Sequence, residues 1–515
     1  MRSPFGSEPI AAVIAEPTLG AFRRALARAE RRARPNRARV VELRLDALGG
    51  IETIVRLLES LPRPPARLIR IATCRTRVAG GGFAATPAAQ LALLRLAARA
   101  GCAWVDVEAE SLQPFPASLR RALLRGVRRI VSFHDFRRTP ANLPRLYARL
   151  ARLGGELVKI AVTARRQRDN LTLLRLARRH RGKVIALAMG TCGIPSRVLG
   201  LRAGSVLTYA APNAGPTTAP GQLPLSELRD LYRPHRLDRR TRLYGVIGYP
   251  IVHSLSPPMQ NAAFQAARLN AVYLPFEVRD LGDFLACRRE LPVAGFSVTL
   301  PHKQAILRSL DDCDPVATSI GAVNTVVVRG GDRLYGYNTD YVGVLRTLAR
   351  YLPLEGAQVL ILGAGGAARA VAFALATAGA FVSITARRPG RARALARAMG
   401  GEALPRAEVR RRRFDAIVNC TPVGMSPHAG ASPLARGELN ARVVFDLVYN
   451  PLETELLRRA RRRGAVAVPG WQMLVEQGAA QFEIWTGLRA PLAVMRRAVV
   501  CALRPVPNGR GLRPR

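Results

Sequence analysis

Residues 358–368 read Gln-Val-Leu-Ile-Leu-Gly-Ala-Gly-Gly-Ala-Ala, an apolar run that passes directly into a glycine-rich turn. This pattern predicts a buried strand, a tight turn and a helix over Ala367–Ala378. Free N–H groups at a helix N-terminus bind phosphate, so a turn of this kind indicates a dinucleotide pyrophosphate site. The residues of that predicted site are Gly363, Ala364, Gly365, Gly366 and Ala367.

The segment after the next predicted strand, Phe381–Thr385, indicates which dinucleotide binds. An NAD site places Asp or Glu there to hold the ribose hydroxyls, but no acidic residue occurs between Ala370 and Gly401. Arg387 and Arg391 stand there instead and can bind an additional phosphate. Because arginine is common throughout the chain, the missing acid is the stronger part of the argument, and we expect NADP(H) as the cofactor.

Upstream of this turn, residues 295–303 read Gly-Phe-Ser-Val-Thr-Leu-Pro-His-Lys. They predict a strand, Phe296–Leu300, that is stopped by Pro301 and opens into a helix. Asn324 and Asp340 follow two neighbouring predicted strands. Asn, Asp and Lys after adjacent strands can converge, so this region predicts a cleft for a small substrate rich in hydroxyl groups.

The lysines are a second signal. The chain has 80 basic residues, and only Lys159, Lys183 and Lys303 among them are lysine. Arginine stays protonated, so we expect lysine to be kept where an amine must lose a proton or attack a carbonyl. Lys183 begins a predicted strand and is interpreted as structural.

The amino-terminal half contains eight short apolar runs, several separated by amphipathic segments such as Phe22–Arg32 and Ala88–Ala100. Eight strands alternating with helices predict a (β/α)8 barrel, in which catalytic groups lie at the carboxyl ends of the strands. The predicted strands are Ala12–Glu16, Val40–Asp46, Leu68–Cys74, Trp104–Glu108, Ile130–His134, Leu157–Val162, Val184–Met189 and Val206–Ala210. The polar residues at these strand ends are Glu16, Glu42, Arg44, Arg75, Asp106, Glu108, His134 and Lys159.

Lys159 lies between Val158 and Ile160 in the sixth of these strands. Desolvation in an apolar strand lowers the pKa of a lysine, which then can act as an amine nucleophile. His134 lies one strand earlier and can transfer protons. The two residues therefore suggest imine chemistry with a histidine acid/base.

Composition bounds the class of protein. A chain of 515 residues with 49% hydrophobic residues predicts at least two globular domains. The net charge of +45 is spread along the chain with only 6% aromatic residues, so we expect no specific nucleic-acid partner. Seven separated cysteines without a Cys-x-x-Cys pair indicate free thiols and no metal, and no apolar run of 18 residues occurs. A cytoplasmic protein without a membrane partner is expected.

Two resemblances organise these signals. The motifs Glu42-Leu-Arg44-Leu-Asp46, Thr73-Cys-Arg75, Ser132-Phe-His134-Asp135, Lys159-Ile-Ala, Met189-Gly followed by Arg197, and Ala219-Pro-Gly-Gln222 resemble those of type I 3-dehydroquinate dehydratase. This resemblance implies that Lys159 forms a Schiff base with the substrate ketone and that His134 is the acid/base. Substrate would be held by Glu42, Arg44, Arg75, Arg197 and Gln222, with Thr218 at a position where the family has Ser. The family Glu that orients the histidine is replaced by Ala79, and Asp106 or Glu108 could substitute for it.

From Tyr244 to about Leu503 the chain resembles shikimate dehydrogenase. The resemblance implies that Lys303 and Asp340 form a catalytic pair beside the reacting oxygen. It further implies substrate contacts from Ser254, Ser256, Thr299, Asn324, Tyr449 and Gln477, and contacts on the nicotinamide side from Thr421 and Gly470. The family often has Asn where Ser297 stands here.

The expected architecture is an α/β chain with a (β/α)8 TIM barrel followed by a two-lobed α/β unit that contains a Rossmann domain. The expected ranges are 1–232 for the barrel, 233–241 for a linker, 242–342 for substrate binding, 343–470 for NADP binding, 471–503 for helices returning to the substrate domain, and 504–515 for a disordered tail.

The dehydratase product, 3-dehydroshikimate, is the dehydrogenase substrate, so we expect one bifunctional enzyme of the shikimate pathway that uses NADPH. An enzyme of quinate breakdown is one alternative. A working dehydrogenase fused to an impaired dehydratase barrel, suggested by Ala79, is another.

Overall fold

The computed structural model describes residues 3–31, 39–123, 125–212 and 217–504. The chain divides into two compact units. The first runs to Thr241 and includes Phe276–Leu291, and the second comprises Arg242–Pro275 and the described chain from Pro292 to Arg504. The predicted tail lies outside the described residues except for Arg504.

The first unit is built on eight parallel strands that form a nearly closed barrel. They are β1 (Ile10–Ile14), β2 (Arg39–Arg44), β3 (Leu68–Thr73), β4 (Trp104–Glu108), β5 (Arg128–Asp135), β6 (Leu157–Thr163), β7 (Val184–Met189) and β8 (Thr208–Ala210). Consecutive strands pair from β1 to β7, and β1 also pairs with β8. The N–H of Val206 donates to the carbonyl of Val184 at 3.0 Å, which brings the two free ends of the sheet together.

Helices follow the strands of the barrel. They are α1 (Leu19–Arg31), α2 (Ile51–Glu59), α3 (Pro87–Arg99), α4 (Ala109–Leu112), α5 (Ala117–Leu123), α6 (Leu143–Ala151), α7 (Gln167–Arg179) and α8 (Ile194–Ala203). Helix α3 begins where the sequence supplies a cap, because Thr86 accepts a hydrogen bond from the Ala89 N–H and Pro87 occupies the first turn.

An apolar cluster fills the amino-terminal end of the barrel. Phe5 packs on Trp104, the first residue of β4, with ring centroids 5.1 Å apart, and both side chains are buried. Apolar burial at this end leaves the opposite end of the barrel for polar side chains. The predicted barrel is therefore confirmed, with β1 two residues earlier than expected and β8 beginning two residues later than expected but ending at the same residue.

The second unit contains two six-stranded sheets. The first, mixed sheet has the order β10-β9-β11-β13-β14-β12. Its strands are β9 (Arg242–Gly248), β10 (Ala271–Glu277), β11 (Val293–Val298), β12 (Asp312–Cys313), β13 (Thr325–Arg329) and β14 (Arg333–Tyr337). Strands β9 and β11 pair in parallel, whereas β13 pairs antiparallel with both β11 and β14.

The second sheet is parallel and has the order β17-β16-β15-β18-β19-β20. Its strands are β15 (Gln358–Leu362), β16 (Phe381–Thr385), β17 (Glu402–Ala403), β18 (Phe414–Asn419), β19 (Ala441–Asp446) and β20 (Val466–Pro469). This is the doubly wound order of a dinucleotide-binding sheet, whose ligands bind where the strand order reverses. The predicted Rossmann domain is confirmed.

The remaining helices are α9 (Ser256–Ala266), α10 (Leu281–Arg288), α11 (Pro315–Ile320), α12 (Asp340–Leu348), α13 (Gly366–Thr377), α14 (Pro389–Ala398), α15 (Glu455–Arg462), α16 (Trp471–Thr486) and α17 (Leu492–Leu503). Among the residues described, no helix has the length and apolarity needed to cross a membrane.

Two local expectations differ from the structure. The segment after Pro301 forms turns and then a short 3₁₀ helix, Ala305–Ser309, where the sequence predicted a helix directly after the proline. The predicted linker contains a 3₁₀ turn, Pro234–Arg236, and is thus partly helical.

Candidate active sites

A pocket of about 480 Å³, including its open mouth, lies at the carboxyl ends of the barrel strands. All eight residues that the sequence assigns to a site in this half line it. They are Glu42, Arg44, Arg75, His134, Lys159, Arg197, Thr218 and Gln222. Phe136, Met189 and Tyr209 are also in the lining. Glu16, which lies two residues beyond the end of β1, is not among the lining residues.

Strand register sets the heights of the two reactive side chains. Lys159 on β6 pairs with Ser132 on β5, and His134 pairs with Ala161. His134 is therefore two residues closer to the carboxyl end than Lys159, and successive side chains on a strand alternate faces. Both side chains consequently point to the same face, with the imidazole nearer the pocket mouth.

The amine of Lys159 is surrounded by charge. Its Nζ lies 2.8 Å from Asp106 Oδ2 and 3.5 Å from Glu42 Oε1, and it sits 4.0 Å from the ring centroid of Tyr209. The expected apolar surroundings are wrong, because carboxylates on β2 and β4 face the amine across the barrel. Burial by itself would raise the pKa of Asp106, but the positive charges of Lys159 and Arg75 outweigh it and hold that pKa below its ordinary value.

The imidazole of His134 is held by an arginine. Arg75 Nη1 lies 2.8 Å from His134 Nδ1. A guanidinium only donates, so Nδ1 accepts and the neutral ring carries its proton on Nε2. Burial, followed by the charges of Arg75 and Lys159, lowers the pKa of His134 well below its ordinary value, which keeps the free ring neutral at pH 7.

Arg75 is held in place by Asp106 and Glu108. These are the two carboxylates that could substitute for the family Glu, which Ala79 replaces here. Arg75 Nη2 lies 3.3 Å from Asp106 Oδ1, and Nη1 lies 3.5 Å from Glu108 Oε1. In the described contacts, Asp106 and Glu108 thus bind the guanidinium that contacts His134. Asp106 also acts on the imidazole directly, because its negative charge opposes the lowering of the His134 pKa.

The opposite wall of the pocket suits an anionic, hydroxylated ligand. Arg197 is buried, its Nη2 donates to the Pro220 carbonyl at 3.4 Å, and its Nε has no hydrogen-bond partner within the described part of the chain. Burial lowers the pKa of Arg197 to about 10, which leaves it charged at neutral pH. Thr218 donates from N and Oγ1 to Gln222 Oε1 at 3.1 and 3.0 Å, so the Gln222 amide orientation is fixed.

The second unit brings Lys303 and Asp340 together. Lys303 Nζ donates to Asp340 Oδ2 at 2.5 Å, and Asn324 Nδ2 donates to Asp340 Oδ1 at 2.8 Å. Asn324 Nδ2 also lies 3.4 Å from Gln477 Oε1. These four predicted residues therefore form one cluster. The amine and carboxylate are largely but not fully buried, with 15% and 6% of their side chains exposed, so a substrate can reach them.

The other predicted substrate residues of the second unit are less closely associated with the Lys303–Asp340 pair. Ser254 Oγ accepts a weak hydrogen bond from the Ser256 N–H at 3.4 Å at the start of α9. Thr299 follows β11 directly, and its methyl group lies 2.4 Å from where a Cβ on Gly248 would stand. Burial raises the pKa of Tyr449. None of the contacts described joins Ser254, Thr299 or Tyr449 to the catalytic pair.

The glycine turn lies against this cluster and fits a dinucleotide. A Cβ on Gly366 would lie 3.4 Å from the Cβ of Lys303, and a Cβ on Gly365 would meet nothing within 4 Å. Gly363 has φ +111°, which L side chains rarely adopt, and its own Cβ would lie 3.2 Å from Thr421. Helix α13 starts at Gly366, so its free N–H groups and the open space at Gly365 suit a pyrophosphate.

The edge of the dinucleotide site is positively charged. Arg387 and Arg391 are exposed around the start of α14, beyond the carboxyl end of β16. At the other edge, a Cβ on Gly470 would lie 2.5 Å from the Leu447 carbonyl oxygen, so only glycine lets α16 begin there. The residues present therefore fit NADP, with its extra phosphate at the arginines.

Sequence reasoning missed several side chains that support these sites. Ser132 donates to Asp106 Oδ1 at 2.5 Å and helps to hold the carboxylate beside Lys159. Gln481 contacts the Asn324 backbone and Thr325 in the second unit. Gln481 follows Gln477 by four residues on α16, and that helical spacing was the available signal because residues four apart share a face.

Comparisons with known proteins agree with this division. Residues 11–238 match the family model of type I 3-dehydroquinase. Residues 246–326 match the shikimate dehydrogenase substrate binding domain, and residues 470–500 match the shikimate 5'-dehydrogenase C-terminal domain.

Individual relatives match most of the chain or about half of it. A bifunctional 3-dehydroquinate dehydratase/shikimate dehydrogenase of Arabidopsis thaliana chloroplasts is 36% identical over 475 residues, which is 88% of this chain and 78% of the relative. A shikimate dehydrogenase (NADP(+)) of Moorella thermoacetica is 49% identical over 276 residues, 50% of this chain and 92% of the relative. The shikimate 5-dehydrogenase of Thermus thermophilus, solved with NADP(H) and shikimate, is 40% identical, with a TM-score of 0.48, covering 51% of this chain and 100% of that one.

Proposed function

This chain belongs to the family of bifunctional 3-dehydroquinate dehydratase/shikimate dehydrogenases, and we propose from that premise how its own residues carry out the two reactions. The enzyme converts 3-dehydroquinate to 3-dehydroshikimate in the barrel and reduces 3-dehydroshikimate to shikimate in the second unit. The observation that carries the proposal is that each half gathers a lysine and its proton-transfer partners at one site.

In the barrel, we assign Lys159 as the nucleophile. Its amine attacks the ketone carbon of 3-dehydroquinate, and loss of water gives an imine that makes the neighbouring C–H acidic. The carboxylates of Asp106 and Glu42 contact Nζ and stabilise positive charge on the lysine nitrogen. Arg197 would bind the substrate carboxylate through its unused Nε, and Thr218 and Gln222 would bind hydroxyl groups.

His134 is assigned the proton transfers. It would remove the acidified proton and return a proton to the departing hydroxyl, so that water leaves and the double bond forms. Hydrolysis of the imine by water would then release 3-dehydroshikimate and restore the Lys159 amine. The free enzyme holds Nδ1 of His134 against Arg75. Arg75 must therefore turn toward the substrate, or give up this contact, before Nδ1 can accept a proton.

In the second unit, Lys303 and Asp340 would exchange the proton of the reacting oxygen, since their hydrogen bond lets the pair take up or release it. NADP(H) supplies or accepts the hydride when bound. Asn324 and Gln477 hold the Asp340 side of the cluster, and the N-terminus of α13 with Gly365 would hold the pyrophosphate.

Changing Ala79 to Glu is expected to raise dehydratase kcat about ten-fold, because a carboxylate at this turn can bind Arg75 or the imidazole and free the histidine for proton transfer. Stabilising the imidazolium raises the pKa of His134, so the acidic limb of the kcat–pH profile should move to higher pH. A pH series of the dehydratase rate measures both effects. Val78→Glu, on the adjacent and 91% exposed residue, is the matched control; an equal gain there would contradict the explanation.

Changing Arg387 or Arg391 to Ala is expected to raise the KM for NADP+ about ten-fold, since each would lose a charged hydrogen bond to the extra phosphate. The KM for shikimate and the rate with NAD+ should not change. Steady-state kinetics with both cofactors measures this. Arg397→Ala, on the same helix near its other end, controls for lost surface charge; an unchanged KM for NADP+ in both arginine variants would argue against NADP selection by these residues.

The domain limits of 1–232, 242–342, 343–470 and 471–503 remain part of this proposal, as does a cytoplasmic location, which the free state of all seven cysteines supports.

A stopped assay tests both proposed activities and their order. The purified chain is given 3-dehydroquinate with and without NADPH. Shikimate should form with NADPH, and 3-dehydroshikimate should accumulate without it. Untouched 3-dehydroquinate together with reduction of added 3-dehydroshikimate would identify an impaired barrel, and a preference for NAD with quinate would favour the catabolic alternative.

A further inference from the structure

A row of buried polar side chains lies behind the Lys303–Asp340 pair. Its members outside the predicted site are Tyr273 on β10, Ser297 on β11, Thr325 at the start of β13 and Gln481 on α16, and the row ends at Asn324. The four side chains are at most 5% exposed, and none of them is among the residues predicted to contact substrate or cofactor. Four buried polar groups in a row need an explanation, because burying them is unfavourable unless every one is satisfied.

One backbone carbonyl fixes the orientation of the Gln481 amide. The Asn324 carbonyl oxygen lies 3.3 Å from Gln481 Nε2, and a carbonyl can only accept. The amide oxygen of Gln481 therefore faces Ser297, whose hydroxyl donates to it at 2.8 Å. Because the Ser297 proton is used in this way, the Tyr273 hydroxyl must be the donor in its 2.6 Å contact with Ser297.

One backbone N–H fixes the Asn324 amide in the same manner. Thr339 N–H donates to Asn324 Oδ1 at 2.7 Å, which turns Asn324 Nδ2 toward Asp340. Gln481 Nε2 donates to Thr325 Oγ1 at 3.0 Å, and Thr325 donates in turn to Asn324 Oδ1 at 2.8 Å. Every bond thus points from Tyr273 toward Asp340, and hydrogen bonds aligned in one direction polarise and strengthen one another.

We propose that Tyr273, Ser297 and Gln481 are positioning residues of the dehydrogenase, which hold the Asn324 amide so that it occupies one oxygen of Asp340 and leaves the other to Lys303. The inference rests on the roles proposed above for Lys303 and Asp340.

Gln481→Glu tests the direction of the row with little change in shape. It places an oxygen where Nε2 faces the Asn324 carbonyl and Thr325. The Thr325 hydroxyl must then donate to the new carboxylate and can no longer donate to Asn324. We expect kcat/KM for shikimate to fall about ten-fold, while the KM for NADP+ and the dehydratase rate of the same chain stay within about twofold of the parent. Gln481→Leu should act in the same direction.

Matched variants separate positioning from general damage. Gln472→Leu on the same helix removes a hydrogen bond to the exposed Tyr351 and should leave shikimate oxidation unchanged. Tyr273→Phe removes one hydroxyl at the far end of the row and should cost about threefold in kcat/KM. The proposal is overturned if both Gln481 variants keep kcat/KM for shikimate within twofold of the parent, or if NADP+ binding and dehydratase activity fall in parallel with it.

The parent chain is assayed first. Absence of shikimate oxidation in the unsubstituted chain would overturn the proposed catalytic roles and this inference with them. That result can be distinguished from failure of the positioning role, because it is measured on the parent chain before any residue is substituted. A working parent with unaffected Gln481 variants overturns the positioning role alone.

Discussion

Lys159→Ala is expected to lower dehydratase kcat by on the order of 10⁴-fold, because removing the nucleophile removes the covalent route and leaves only binding and acid–base groups. Shikimate oxidation by the same chain should stay within about twofold. The two activities of one purified sample therefore serve as each other's control. A separate readout is covalent: borohydride added with substrate should attach a reduced adduct to Lys159 in the parent and to no residue in the variant, as measured by peptide mass spectrometry.

A second variant of Lys159 is needed, because its amine is paired with buried carboxylates. Alanine would leave Asp106 and Glu42 buried without their cation, and breaking such a pair costs about 3 kcal/mol of unfolding free energy. Lys159→Arg keeps the positive charge but offers no amine that can attack a ketone. We therefore expect the Arg variant to fold with smaller loss of stability and to be equally inactive as a dehydratase.

Lys183→Ala is the matched control for the nucleophile. Lys183 immediately precedes β7 at the amino-terminal end of that strand and is exposed, so its loss should leave both activities and the borohydride adduct intact. An adduct that persists in Lys159→Arg, or dehydratase turnover within about tenfold of the parent, would contradict the assignment of Lys159.

The second large effect is expected at Lys303. Lys303→Ala should lower kcat of shikimate oxidation about 10³-fold, because the reacting oxygen then lacks its proton-transfer group. Dehydratase activity should be unchanged, since Lys303 belongs to the second unit. The KM for NADP+ should change little, because alanine keeps the Lys303 Cβ, which is the atom nearest to the Cβ position of Gly366, and so leaves the shape of the glycine turn unchanged.

Two further variants separate charge from proton transfer in this pair. Lys303→Arg keeps a cation beside Asp340 but holds its proton, and Asp340→Asn keeps the shape but removes the negative charge. Both are expected to lose about 10²-fold or more in kcat. Full activity of Lys303→Arg would show that the residue acts only as a positive charge and would refute the proton-transfer role.

The sequence by itself determined the order of elements and the identity of the reactive groups. Apolar runs of strand length, separated by helices, predicted the barrel, and the run ending in Gly363-Ala-Gly365-Gly366 predicted the Rossmann turn. These features are local, since a strand, a glycine turn and a helix start are each encoded by neighbouring residues. The scarcity of lysine singled out Lys159 and Lys303 for a similar reason, because the chemistry of an amine belongs to one side chain.

Only the tertiary structure decided what surrounds those side chains. The sequence predicted an apolar setting for Lys159 from Val158 and Ile160, but in a strand these neighbours point away from the lysine. Barrel closure instead turns Asp106 and Glu42 toward the amine. The contact of Arg75 with His134 and the row that ends at Asn324 arise in the same way, because they join strands and helices far apart in the chain. Local patterns fix which groups are present, whereas strand register and packing fix which groups meet.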